Sequence, residues 1–236
     1  MTELVTLQEH DTHVVIVMDD GKANALSFDM FSAVNAALDV AEKAGKVVVL
    51  AGRPGKFSAG FDLKVMSGGG QPMVDLLRSG AELAQRLLKF PTPVILAVSG
   101  HALAMGALLC LSADYRIGMH GNYKIGVNEV AIGMTMPWFG VELTRARLDL
   151  ARVNAAVGLA QIYSADEAVS VGYLDEAVEA EHLLARANEM AATLAQLDMA
   201  AHKATKLRVR EIFLERLEAA LQRDFSDGDA VAILQK

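Results

Sequence analysis

Between Lys89 and Asp114 the chain runs without a single Asp, Glu, Lys or Arg: FPTPVILAVSGHALAMGALLCLSA, Phe90–Ala113. So long an uncharged stretch has to be removed from water, in a bilayer or in a protein core. Pro91, Pro93, Ser99, Gly100 and His101 interrupt it, which excludes one unbroken membrane-spanning helix. The pattern predicts a strand over PVILAVSG, a turn, and a buried helix over the small and apolar residues that follow. A turn at a helix start exposes backbone N–H groups where the dipole is positive.

The rest of the chain supports a core of that kind. Of 236 residues, 53% are hydrophobic and 22% charged, with a formal net charge of −7. An acidic balance argues against a general nucleic-acid or membrane-surface role, since either requires a basic face. Cys110 is the single cysteine, so no internal disulfide forms and a reducing, cytoplasmic compartment is expected. The opening residues MTELVTLQEHDTHVVIVMDD do not read as a secretory signal, lacking a basic segment ahead of an apolar one.

Local patterns place the elements. HVVIVM (His13–Met18) and VVVLAG (Val47–Gly52) read as strands. Between them a helix starts at Ser27, with Met30, Val34, Ala37 and Ala41 at helical spacing, and Gly45 stops it. RPGKFSAGFD reads as a loop and SGGGQP as a mobile stretch. MVDLLRSGAELAQRLLKF reads as an amphipathic helix ended by Pro91 and Pro93. From about Val141 onward the pattern is helical almost throughout, with a capping box at Ser164 and Glu167 and a charged helix over Arg208–Arg223. Strand–helix alternation followed by helices gives an α/β class. No internal repeat interrupts this order.

Several chemistries fail on spacing. The six histidines are scattered, with no HExxH or paired-cysteine pattern, so no metal site is expected. A GxSxG elbow and a P-loop are both absent. What remains is three short junctions rich in small residues, KANALS, FSAGFD and HALAMGA, each after a β-like run. Phe61 after Gly60, and Met105 at a helix start, could offer two amides to one oxygen; tight turns alone would show the same spacing. Glu129 lies among Ile125, Val127, Val130, Ile132 and Met134. Buried there it would have a raised pKa suited to proton transfer; on the polar side of an alternating segment it would be an ordinary surface residue.

Five stretches in order, KANALSFDMFSAVNAAL, VVVLAGRPGKFSAGFDLKVM, PTPVILAVSGHALAMGALLCLSADYRI, YKIGVNEVAIGM and SADEAVSVGYLDEAV, make the chain resemble the enoyl-CoA hydratase/isomerase (crotonase) superfamily over nearly all its length. The resemblance implies a spiral of repeated ββα units over residues 1–180 and a helical oligomerisation region over 181–236. It implies an acyl-CoA thioester as substrate, with coenzyme A part of the substrate and no separate cofactor, and a homotrimer or dimer of trimers. Its thioester oxygen would rest on the amides of Phe61 and Met105. Met105 stands where the family has glycine, so its side chain must point away from the thioester. CoA contacts would fall on Lys22, Ala23, Ala25, Ala59, Asp62, Leu63 and Lys64, with Lys22 and Lys64 facing phosphates or standing as solvated surface residues; Asp62 could equally cap the next helix. Trp138 and Phe139 would line the acyl end, or pack in the core.

One departure carries the most information. The family's hydratases flank a water with two glutamates; Leu108 stands at the first position and Glu129 at the second. A single acid suits transfer of a proton from C2 to C4, and YKIGVNEVAIGMTMPWFG resembles the enoyl-CoA Δ-isomerase branch more closely than the hydratase branch. The alternatives are hydration, thioester hydrolysis or decarboxylation, or acyl-CoA binding without catalysis.

Overall fold

The computed structural model describes residues 4–226. Its strands are β1 (Val5–Glu9), β2 (His13–Met18), β3 (Val47–Gly52), β4 (Gly55–Ser58), β5 (Val94–Val98), β6 (Gly100–Leu103), β7 (Tyr115–Met119), β8 (Ile125–Gly126) and β9 (Glu176–Val178). Helices α1 (Phe28–Ala44), α2 (Leu63–Gly68), α3 (Gly70–Lys89), α4 (Met105–Cys110) and α5 (Trp138–Arg147) lie among them. Then come α6 (Ala165–Val171), α7 (Leu183–Leu194), α8 (Met199–Val209) and α9 (Glu211–Phe225).

A larger sheet has the order β1-β2-β3-β5-β7-β9 and a smaller one β4-β6-β8. Among the paired strands of the described residues, only β1 and β2 run antiparallel to each other. Strands β3, β5 and β7 each hand the chain to a short strand of the smaller sheet before it turns back, which is the expected spiral of ββα units. The handover needs room. At the junction of β5 and β6, Gly100 has φ +143°, and a Cβ there would run into the Gly55 backbone. Only glycine lets the two strands turn so close together.

The larger sheet is covered on both faces. Val48, Leu50, Leu96 and Val98 face α1 and α3. Val47, Val49, Ala51, Ile95, Ala97 and Ile117 face Leu183, Ala187 and Ala191 of α7. Parallel strands buried on both faces read as continuous apolar runs, which is what β3 and β5 are. The expected division after residue 180 therefore falls just before a helix that completes the core.

Asp114, the first charge after the apolar run, ties α8 to this core. It accepts from Lys206 Nζ at 2.7 Å, from an Arg210 guanidinium nitrogen at 2.8 Å and from Val94 N at 2.8 Å. Lys206 also donates to Phe90 O at 3.0 Å, at the end of α3.

The structure corrects several local expectations. The SGGGQP stretch contains the joint between α2 and α3, with Gly69 at φ 63° between them. The segment read as a loop contains β4, and β1 had not been expected. The region read as helical contains strand β9, paired through Ile117↔Glu176, and only a π-helical turn at Asn154–Gly158. The charged helix breaks at Arg210, whose guanidinium is drawn to Asp114 and to Leu88 O at 2.7 Å.

Candidate active site

Three junctions at the C-terminal ends of strands meet. The first loop is folded around Asp20, whose carboxylate accepts from the amides of Lys22 (2.7 Å), Asn24 (2.9 Å) and Ala25 (3.0 Å). Burial works to raise the Asp20 pKa, but these amides and Arg53 outweigh it and hold it below the usual value. Asn24, fully buried at φ 51°, donates to Met18 O, Lys56 O and Phe57 O. The first loop is thereby fixed to the end of β4.

The second junction follows Ser58. Ala59 N donates to Ala23 O at 3.0 Å, Leu26 N to Gly60 O at 2.8 Å and Asp62 N to Leu26 O at 3.2 Å. Gly60 C=O and Asp62 N–H thus both face the first loop. In extended chain the amide between them, that of Phe61, faces the opposite side. There the third junction waits. Ala104, at φ 50° and ψ −123°, bends the chain into α4, and Met105 is the first helical residue. The first amides of a helix have no intrahelical acceptor. A Cβ on Gly60 would lie 2.8 Å from Ala104 Cβ and 3.4 Å from Met105 N, so the two turns are separated by a glycine's thickness.

The Met105 side chain is fully buried and runs beneath α3. Its sulfur would be 3.2 Å from a Cβ on Gly80, and the Phe61 ring would be 2.6 Å from that same atom. The thioether does not line the cavity that opens beside the two turns. That cavity, of about 170 Å³, is walled by Phe61, Leu63, Met66, Leu77, Leu108 and Met134, with Ala59, Ala104, Ile132 and Pro137 at its edges. Two polar side chains enter the wall, Asn128 and Glu129.

Glu129 starts a 3-10 turn over Val130–Ile132, and its carbonyl accepts from Met134 N at 2.9 Å. The residue is 5% exposed, and Oε2 has no hydrogen-bond partner among the described residues. Burial pushes its carboxyl up from the ordinary 4.5 to about 7, against a smaller pull from the amides of Glu129 and Asn128. An acid in that range gives up and regains a proton near neutrality. Of the two readings open from the residues, the surface one is excluded.

The structure therefore gathers Glu129, Phe61, Ala59, Leu63 and Leu108 around one cavity and sets the Met105 amide at its edge. Lys22, Ala23 and Ala25 lie on the loop bonded to the Ala59–Asp62 segment, outside the cavity wall. Lys22 and Lys64 are exposed. Asp62 caps α2, accepting from Lys64 N at 2.8 Å. Trp138 is not in the wall of this cavity. It lines a neighbouring cleft that shares Pro137 with the cavity, and the Arg223 guanidinium lies 3.6 Å above its ring. Phe139 is buried in the core beside Phe225. The cause is Asp224 on α9, which accepts from the amides of Trp138 and Phe139 at 3.0 and 2.9 Å and turns the start of α5 toward itself.

Residue reasoning missed Asn128, whose Oδ1 is buried without a hydrogen-bond partner among the described residues, and the apolar walls Met66 and Leu77. The asparagine directly before Glu129 was the available signal for the first. The walls come from α2 and α3 and leave no local mark. No described helix is long and apolar enough to cross a membrane.

Comparison with known proteins places this geometry. A structure of an enoyl-CoA hydratase/isomerase family protein from Pseudomonas syringae superposes with TM-score 0.93 at 44% identity, covering 95% of this chain and 98% of that one. An apo structure described as a Mycobacterium tuberculosis enoyl-CoA isomerase superposes with TM-score 0.91 at 41% identity over the whole of both chains. Human mitochondrial enoyl-CoA delta isomerase 1 is 29% identical over 192 residues, 80% of this chain; the match spans 63% of the human protein's length. The enoyl-CoA hydratase/isomerase family model matches residues 9–227, and the chain belongs to that family.

Proposed function

We propose that the chain isomerises 3-enoyl-CoA thioesters to 2-trans-enoyl-CoA, with Glu129 carrying the proton. One observation supports this above the rest: Glu129 is the sole carboxylate among the described residues of the cavity wall, and Leu108 stands in that wall, at the position where the resemblance to the family's hydratases implies the first of their two glutamates. Leucine holds no water there, and the surrounding wall is apolar.

The Glu129 carboxylate removes a proton from C2 of the 3-enoyl thioester. The C–H electron pair shifts into a C1–C2 bond, the thioester oxygen becomes negative, and a dienolate forms. The Phe61 and Met105 amides stabilise that oxygen; one such donor is worth about 10²- to 10³-fold in rate. The protonated Glu129 then delivers its proton to C4, the double bond moves to C2–C3, and the thioester carbonyl re-forms. No atom is gained or lost, so excluding water costs the reaction nothing. The nucleotide end of CoA extends along the first and second loops, past Lys22 and Lys64.

The test is conversion of 3-hexenoyl-CoA to its conjugated isomer, read by absorbance. Glu129→Gln is expected to reduce the rate by at least 10³-fold. Unchanged conversion in that variant, or hydration of crotonyl-CoA faster than isomerisation in the native protein, refutes the proposal.

A further inference from the structure

A second cluster of chemistry-bearing side chains stands in register at the other end of the smaller sheet. Lys56 of β4 pairs with His101 of β6. Lys124, directly before β8, comes alongside, with its carbonyl accepting from Ala102 N at 3.0 Å. Ala102 is fully buried, so His101, one residue earlier, faces the opposite way. None of the three residues lines the Glu129 cavity.

The histidine is held in one tautomer. Lys124 N donates to His101 Nδ1 at 3.0 Å, so Nδ1 carries the lone pair and Nε2 the hydrogen. The Tyr123 ring meets the imidazole edge-on at 5.5 Å and 83° and fixes its plane. Burial first, then the charges of Lys56 and Lys124, hold the His101 pKa below its usual value, so the ring is a neutral donor near neutrality. Among the described residues neither lysine is within 4.0 Å of a carboxylate, unlike Lys46 and Lys206. Arg53, next to Lys56, is already engaged by Asp19 and Lys22 O.

We propose that Lys56, His101 and Lys124 form a binding site for a phosphate-type dianion. Neighbouring strands lie about 4.8 Å apart, so the two lysines are rooted about 10 Å apart with His101 between them. Their four-carbon stems let both ammonium groups close on an anion resting against Nε2–H. Two unpaired positive charges match a phosphate dianion, on a chain whose overall charge is −7. The phosphate can be a free ion or ester, or one carried by coenzyme A; the recognition chemistry is shared.

The experiment titrates the native protein with inorganic phosphate at constant ionic strength, following the His101 ring protons by NMR and the heat of binding by calorimetry. A saturable His101 shift is expected, with affinity at least tenfold weaker in the double variant Lys56→Met, Lys124→Met. Free coenzyme A is the second probe. If the double variant weakens coenzyme A by tenfold or more, the occupant is a phosphate of the nucleotide. If coenzyme A is unaffected while phosphate still needs both lysines, the occupant is a separate anion. Phosphate that shifts His101 no more than chloride does, with coenzyme A binding unchanged in the double variant, overturns the site. Neither probe requires turnover, so the result stands apart from the isomerase assay.

Discussion

Replacing Glu129 by glutamine is expected to stabilise the protein while abolishing its chemistry. The side chain keeps its shape and loses its charge. In the unfolded chain the carboxyl titrates near 4.5, and in the folded protein near 7. A folded value above the unfolded one means that the folded state holds the proton more tightly. Its stability contribution is complete below about 4.5 and is lost as pH rises through about 7. At about 1.4 kcal/mol per pKa unit, the charged form costs the fold about 3 kcal/mol at high pH. Glutamine never bears that cost. Between pH 5 and pH 8 the variant should therefore gain about 2 to 3 kcal/mol relative to the native protein, a shift of about 1 M in the urea midpoint. Equilibrium urea unfolding at both pH values, at one protomer concentration, measures it. Any fixed cost of the new amide cancels, because only the change in the difference between pH values is read. If the variant differs from the native protein by the same amount at pH 5 and pH 8, Glu129 is not a desolvated acid, and the proton-transfer argument fails with it.

The same carboxyl sets the pH dependence of activity: kcat/KM is expected to rise about tenfold per pH unit below about 7 and to level off above it, as a steady-state profile would show. Gly60→Ala places a Cβ 2.8 Å from Ala104 Cβ at a residue with φ +96°. It should cost about 1 to 3 kcal/mol in urea unfolding and reduce kcat by separating the Phe61 and Met105 amides. Asp114→Asn leaves Lys206 and Arg210 without their counter-charge; their side chains are only 4% and 12% exposed, and the loss should be about 3 to 5 kcal/mol in the same assay.

Where structure depends on neighbouring residues, the sequence is legible. Ser27 caps α1, accepting from Met30 N at 3.2 Å, and Gly45 ends that helix at φ 65°, because both signals act within one helical turn. Ser164 and Glu167 form the expected capping box for the same reason. Strands β2, β3 and β5 carry their apolar runs openly. Where a distant partner decides, the local pattern misleads. Strand β9 exists because β7 offers it an edge, and the helix over Arg208–Arg223 breaks because Arg210 is claimed by a carboxylate 96 residues away.

The site divides along the same line, and Glu129 shows why residue patterns alone leave its role open. Its sequence neighbours Val130 and Ile132 are 46% and 51% exposed, so the local segment is not what buries it. Glu129 lines a cavity whose wall also takes Leu77 from α3 and Leu108 from α4, brought there by the winding of the spiral. Trp138 lines the neighbouring cleft and not this cavity for the converse reason. Its position next to Pro137 points toward the cavity, but Asp224, 86 residues further on, sets the direction of the helix that carries it. A buried acid whose proton affinity depends on walls from other elements is invisible to a window of any practical length. The resemblance of five ordered stretches located it because those stretches encode the winding itself. The glycines at 60 and 100 and the small residues at each junction permit that winding, and the walls around Glu129 follow from it.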